Sequence, residues 1–207
     1  MADAKTIAQL RAKTSAGMMA CKKALDEANG DIDKAVEILR KNGAMKAAKK
    51  NAERITAEGV IATYLHHNKK LAAMVEVQCE SDFVALNSDF LEFANDLAMQ
   101  VAATDPLYIS PDSVPVEELE KQRKLFKETV SKENKPDDIK EKIVEGKIQK
   151  WFKEVCLIKQ EFIKDEDRTV EEILTDKIAT IGEKIVIVRF ERWEVGVTGG
   201  VCALPNN

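Results

Sequence analysis

Residues 60–79 read VIATYLHHNKKLAAMVEVQC. The first six are mostly β-branched, aromatic or aliphatic, and a polar segment at 66–70 follows them. From Leu71 to Cys79 apolar residues recur at every second position, which is the period of a strand that buries one face. This stretch therefore predicts a β-hairpin. The residues on the buried face of its second strand are predicted to be Leu71, Ala73, Val75, Val77 and Cys79.

The residues before the hairpin, 1–54, have a helical period instead. Helix-capping and helix-ending signals divide them into three helices, because Asp favours the position before a helix and Asn-Gly the position after one. The expected boundaries are an end near Gly17, a second helix from Met18 to Asn29-Gly30, a third from Asp31 to Asn42-Gly43, and an exposed helical linker at 44–54.

The residues after the hairpin alternate between helix and strand patterns. A helix is expected to bury Phe90, Ala94, Leu97, Ala98 and Val101. Two further helices, at 116–132 and 139–155, are separated by Lys135-Pro136-Asp137 and predict an antiparallel helical hairpin at about 116–155.

The last part of the chain predicts a short strand at 157–162 and a helix that ends at Gly182. A strand at 183–195 follows, with Val186, Val188 and Phe190 on its inner face. The whole predicts an α+β fold, with a three-helix module at 1–54, an α/β core with a small antiparallel sheet at 55–196, and a flexible tail at 197–207.

Charge separates the first part from the rest. Residues 1–54 hold twelve Lys/Arg against seven Asp/Glu, whereas the whole chain has a net charge of −4. A generic nucleic-acid binder carries a basic excess and stacking aromatics, so we expect no direct nucleic-acid partner. An RNA- or ribosome-binding role of residues 1–54 stays open as an alternative, because their basic excess would suit it.

The chain is expected to be soluble and cytoplasmic. Its four cysteines, Cys21, Cys79, Cys156 and Cys202, lie far apart and form neither a disulfide framework nor a CxxC zinc motif. The N-terminus lacks an apolar signal core, and no apolar run approaches the roughly 20 residues of a membrane span. We therefore expect no metal, no cofactor and no membrane partner.

No catalytic residue is predicted. The sequence lacks the common phosphate-binding, dinucleotide-binding, zinc-protease and serine-hydrolase motifs. Its two histidines, His66 and His67, lie in the predicted turn. A Cys79 nucleophile paired with one of them would make an enzyme, and this is a second alternative. A buried structural cysteine is the commoner situation for a residue on the apolar face of a strand.

Two features suggest protein binding. Ser81, Asp82, Phe83 and Val84 follow the second hairpin strand, where Phe83 either projects as a wedge or caps the core. From the residues alone, the interpretation in which Phe83 caps the core is favoured. Met18 and Met19, beside Lys22, either line a binding surface or pack inside the three-helix module. The two interpretations are evenly balanced, because adjacent helix positions cannot both point inward.

Two segments resemble signatures of the elongation factor Ts family. They are TSAGMMACKKAL at 14–25, followed by Asn29-Gly30-Asp31, and CESDFV at 79–84. The segments GAMKAAKK at 43–50 and Glu145-Gly146-Lys147 are also similar. The resemblance runs in order from about residue 5 to residue 196. Ser81 stands where Thr is usual in the family, and Ser15 stands where Gly is common.

The resemblance implies guanine-nucleotide exchange on elongation factor Tu. It implies a ubiquitin-associated-like three-helix module, an α/β core and a helical hairpin used in dimerisation. It places Asp82 and Phe83, flanked by Ser81 and Val84, near the Mg²⁺ site of the partner. It also implies that Met18, Met19 and Lys22 bind the nucleotide-binding domain of the partner. Because this chain resembles the form with a single core copy, we expect a homodimer.

Overall fold

The computed structural model describes residues 3–14, 16–53, 55–131 and 136–197. Three helices precede a small antiparallel sheet and further helices, which confirms the α+β class. The helices are α1 (Ala4–Thr14), α2 (Met18–Glu27), α3 (Ile32–Glu53), α4 (Asp82–Ala85), α5 (Ser88–Thr104), α6 (Val116–Ser131), α7 (Asp137–Val155) and α8 (Val170–Ile181). The strands are β1 (Glu58–Leu65), β2 (Leu71–Cys79), β3 (Glu161–Phe162), β4 (Asp165–Thr169) and β5 (Val186–Glu194).

The predicted boundary between α2 and α3 is confirmed. Asn29 and Gly30 have φ angles of 53° and 86°, and the Gly30 N–H donates to the Leu25 carbonyl at 2.8 Å, which ends α2. One Asp31 carboxylate oxygen accepts from the N–H groups of Asp33 and Lys34 at 3.0 and 3.1 Å. These bonds lower the pKa of the Asp31 carboxyl, and the bond from the Lys34 N–H has the largest effect. The buried core of the three helices consists of Leu10, Cys21, Ala24, Leu25, Ala28 and Ala35.

The predicted end of the third helix at Asn42-Gly43 is wrong, because α3 continues to Glu53. A glycine inside a helix costs only about 1 kcal/mol relative to alanine. The alanines, lysines and Met45 that follow favour the helical state and offset that cost.

Some sequence predictions concern residues outside the described ranges. These are Ser15, the module boundary at Arg54, the connection at 132–135, and the tail from 198 to 207 with Cys202.

The main sheet has the strand order β1-β2-β5. The His66 N–H donates to the Leu71 carbonyl at 2.9 Å and closes the β1–β2 hairpin. On the other side of β2, Glu76 pairs with Arg189 and the Lys70 carbonyl accepts from the Val195 N–H. Residue numbers therefore fall along β5 as they rise along β2, so this pair is antiparallel. Alternate residues of β2 are buried from Ala73 to Cys79, as predicted, whereas Leu71, also predicted to be buried, is only half-buried.

The predicted inner face of the last strand is partly wrong. Phe190 is buried as expected, but Ile187 and the preceding Ile185 are buried in place of Val186 and Val188, which are only half-buried. Residues 185–188 are all Ile or Val, so an alternation of apolar and polar side chains is missing there and the pattern cannot identify the face.

The helical hairpin is confirmed as α6 and α7. Arg123 on α6 and Glu145 on α7 form an ion pair at 2.9 Å. A hydrophobic cluster that draws on both helices includes Val114, Leu119, Phe126, Ile148 and Phe152. The strand predicted at 157–162 is limited to Glu161–Phe162, because Leu157–Lys159 form a 3₁₀ turn.

The chain divides into two compact units. The first comprises 1–60, 77–93 and 172–186, and the second comprises 61–76, 94–171 and 187–207. The separation into a 1–54 module and a 55–196 core stays a prediction. Within the described ranges, no helix combines the length and the apolar character that a bilayer-spanning segment requires.

We predict that Gly59→Ala destabilises the protein. A Cβ at Gly59 would lie 2.3 Å from the Val77 carbonyl oxygen and 2.7 Å from the Gln78 Cα, so β1 and β2 would have to separate locally. The free energy of unfolding, measured in urea, should fall by about 2 kcal/mol, as in other overpacked sites.

The control is Gly146→Ala on α7, where a Cβ would meet no atom within 4 Å. That change should raise the free energy of unfolding by about 0.5–1 kcal/mol, because alanine is the better helix former. An unchanged free energy for Gly59→Ala would mean that the two strands do not need their close approach.

Candidate partner-binding site

The segment between β2 and α5 carries the first candidate site. Ser81 has an extended backbone and caps α4, a single helical turn, by accepting from the Val84 N–H at 3.4 Å. Ala85 is buried, whereas Ser81 and Val84 are half-buried. The segment therefore leaves the sheet, makes one turn of helix on a buried alanine and enters α5. We call residues 80–87 the projecting turn.

Phe83 extends into solvent from the projecting turn. Its side chain is 83 % exposed, so the interpretation of Phe83 as a core cap is wrong. Asp82 beside it is also exposed, and its carboxylate accepts from the Phe83 N–H at 2.9 Å. A large apolar side chain this open to water loses roughly 1.5–3 kcal/mol that burial would supply. An acid and an aromatic ring therefore stand side by side on the surface.

Leu86 was missed by sequence reasoning. It follows Phe83 by three residues, just after α4, and it is 77 % exposed. Since spacing by three residues brings side chains to one side of a helical turn, we expect Leu86 to lie on the same side of the projecting turn as Phe83. The only sign of it in the sequence was an apolar residue, Leu86, at a position where contact with solvent would favour a polar one.

Glu183 is a second residue that sequence reasoning missed. It follows Gly182, whose φ of 91° ends α8. One carboxylate oxygen accepts from the N–H groups of Glu80 and Ser81 at 3.1 and 3.0 Å, and the other accepts from the Ser81 hydroxyl at 2.6 Å. About a hundred residues separate the partners in sequence, so no local pattern could indicate this contact.

Cys79 is buried at the start of the projecting turn. Its thiol donates to the Ser81 carbonyl at 3.2 Å. Burial raises the pKa of this thiol, and the nearby Glu183 charge raises it further. The thiol therefore stays protonated at neutral pH, which is the opposite of what a nucleophile requires.

The two histidines lie at the other end of β2. The Nδ1 of His66 lies 3.0 Å from the Tyr64 hydroxyl oxygen, and the ring centroids of His66 and His67 are 4.2 Å apart. The nine-residue strand that separates them from Cys79 is about 30 Å long at ordinary strand rise. Cys79 therefore does not pair with either of these two histidines. The described part of the chain also contains no group of three or more His, Cys, Asp or Glu side chains that could hold a metal ion.

The second candidate surface lies on α1 and α2. Met18 and Met19 are 59 % and 76 % exposed, so neither belongs to the core of the three helices, and Lys22 is exposed one turn later. Met18 also borders a shallow groove. The other residues of that groove are Ala4, Ile7, Ala8, Arg11 and Ala12. The surface therefore combines small apolar residues, adaptable methionines and cations.

Comparisons with known proteins show the family to which this chain belongs. A sequence model of the family described as "Elongation factor TS" matches residues 2–197. Elongation factor Ts of Acetivibrio thermocellus is 51 % identical, over 95 % of this chain and 91 % of the relative. The elongation factor Ts proteins of Thermosipho melanesiensis and Carboxydothermus hydrogenoformans are each 50 % identical to this chain. Each match covers 95 % of this chain, and it covers 100 % of the first relative and 90 % of the second. The chain therefore belongs to the elongation factor Ts family.

Proposed function

We propose that this chain is a guanine-nucleotide exchange factor for elongation factor Tu in translation elongation. It promotes GDP release by disturbing the Mg²⁺ and phosphate site of that partner. The observation that carries the proposal is the exposed pair Asp82–Phe83 on the projecting turn, in a member of this family. The chain acts as a binding protein and not as an enzyme, because exchange makes and breaks no covalent bond.

Exchange requires that the factor bind the empty partner more tightly than the loaded one. By linkage, bound nucleotide then weakens the factor by the same ratio. Moving the partner from 1:99 to 99:1 in favour of the empty state needs roughly 5.5 kcal/mol of differential affinity. The contacts that act only on the empty state must supply that difference.

Phe83 and Asp82 supply the differential part. The ring of Phe83 enters between side chains that support the Mg²⁺ site, and its burial there contributes roughly 1.5–3 kcal/mol. The carboxylate of Asp82 competes with phosphate for the same positive field. Ser81 and Val84 flank the pair and set the shape of α4 through the hydrogen bond between them.

The surface of Met18, Met19 and Lys22 supplies attachment. Methionine side chains adapt to a partner surface, and the lysine adds a charge that steers association. Contacts of this kind bind the loaded and the empty partner alike, so they raise affinity without expelling nucleotide. Attachment and expulsion are therefore divided between two surfaces.

The homodimer expectation belongs to this proposal. The chain has the length of its matched relatives, of which it covers 90–100 %, and it resembles the form with one core copy. A second subunit would provide what a duplicated core provides in longer members.

We predict a dimeric mass in light scattering at micromolar concentration. A chain of 23.1 kDa should then give about twice that mass. A monomeric mass at that concentration would contradict the dimer and would leave the exchange activity to a single subunit.

We predict that Phe83→Ala loses most of the exchange activity. The measurement is stopped-flow release of fluorescent GDP from purified elongation factor Tu. The maximal rate should fall about tenfold to a hundredfold, the factor that corresponds to one buried aromatic side chain. The half-saturating concentration should change less, because the α1–α2 surface remains.

The control is Leu65→Ala, which removes a 60 % exposed leucine from β1. Release at the wild-type rate would refute the wedge role.

We predict that Met19→Asp weakens attachment. A carboxylate in an apolar contact is costly to desolvate, so the dissociation constant for elongation factor Tu should rise about tenfold or more. Met19→Leu keeps the apolar surface and should bind nearly as the wild type does. Titration calorimetry measures both. Equal affinity of the aspartate variant would show that this surface does not touch the partner.

A further inference from the structure

We propose that Glu183 is a positioning residue for exchange, which holds Asp82 and Phe83 in the orientation that enters the partner. The inference rests on the proposed function and deepens it. It assigns a role to a residue on the α8–β5 connection, about a hundred positions away in the chain from the pair that it would orient.

The Glu183 carboxylate takes three hydrogen bonds from two consecutive residues. It accepts from both N–H groups of Glu80 and Ser81 and from the Ser81 hydroxyl, between 2.6 and 3.1 Å. Hydrogen bonds to an ionised acceptor are roughly twice as strong as neutral ones. Both oxygens of one side chain are therefore used to fix the backbone where the projecting turn begins.

The contact is reciprocal. The Lys184 N–H donates to the Glu80 carboxylate, so each segment offers a carboxylate to the backbone of the other. The Cys79 thiol also donates to the Ser81 carbonyl. The main chain on both sides of Ser81 is held, and its direction on leaving the sheet follows from these bonds.

Ser81 carries the constraint from Glu183 to Phe83. Its hydroxyl donates to Glu183 and accepts from the Val84 N–H, so the same atom fixes the carboxylate and caps α4. Phe83 lies in that single helical turn. Loss of the carboxylate would release the cap and, with it, the direction of the Phe83 side chain.

Phe83 needs such support because it is exposed. A ring that is 83 % open to solvent receives little packing from its own chain, so its direction comes from the backbone. A wedge that is already oriented loses less conformational entropy when it binds. A carboxylate beneath the turn achieves this without covering the ring.

The experiment compares Glu183→Ala with the wild type, both as full-length proteins. Stopped-flow release of fluorescent GDP from elongation factor Tu gives the maximal rate and the half-saturating factor concentration. The maximal rate should fall at least about tenfold, because even one of the three lost hydrogen bonds to a charged group corresponds to that factor, with less than a threefold change in half-saturation. Glu166→Ala, which removes an exposed carboxylate from β4, serves as the control and should behave as the wild type.

Two further readouts separate positioning from general structural support. In a background that carries both Asp82→Ala and Phe83→Ala, Glu183→Ala should cause no further loss, because it acts through these two side chains. In the isolated protein, it should speed hydrogen exchange at the amides of Glu80, Ser81 and Val84 at least about tenfold. Glu183→Gln retains one acceptor oxygen and should give intermediate rates, which keeps the comparison if the alanine variant unfolds.

The outcomes are distinct. Wild-type exchange by both Glu183 variants, with Phe83→Ala impaired, would overturn the positioning role and leave the proposed function intact. An equal further loss in the background that lacks both the Asp82 and the Phe83 side chains would also overturn it, because the effect would then bypass the pair. A wild-type chain that fails to accelerate GDP release would overturn both the proposed function and this inference.

Discussion

The pairing of β2 on both of its edges is the constraint on which the main sheet and the projecting turn depend. Its backbone N–H and C=O groups bond to β1 on one side and β5 on the other, and buried polar groups of a central strand require such partners. Ala73, Val75, Val77 and Cys79 then face the core. The end of this strand fixes the point at which the projecting turn leaves the sheet.

The proposed function needs side chains that the fold does not bury. A core residue such as Phe90 stabilises the protein because it is removed from water, whereas Phe83 is exposed and, under the proposed function, would gain that stabilisation only on binding the partner. Met18 and Met19 follow the same logic beside a core of Cys21 and Leu25. A wedge must also be rigid, and hydrogen bonds from below provide rigidity without covering the apolar surface.

Most of the fold could be predicted from the sequence, because its signals are local. The hairpin follows from the alternation in 71–79, and the end of α2 follows from Asn29-Gly30. The errors arise where local signals were weak or in conflict. Gly43 lies among strong helix formers, and the run of Ile and Val at 185–188 has no polar side to identify its face.

The sequence by itself determined the α+β class, the helical hairpin and the segments in which the candidate surfaces lie, since periodicity and capping act within a few residues. Only the tertiary structure decided that Phe83, Met18 and Met19 are exposed, because burial depends on which distant elements cover a side chain. It alone also brought Glu183 to Ser81. A carboxylate that bonds to backbone groups about a hundred residues away leaves no periodic trace in the chain, since the contact is set by how α8 and the end of β2 meet in the folded protein.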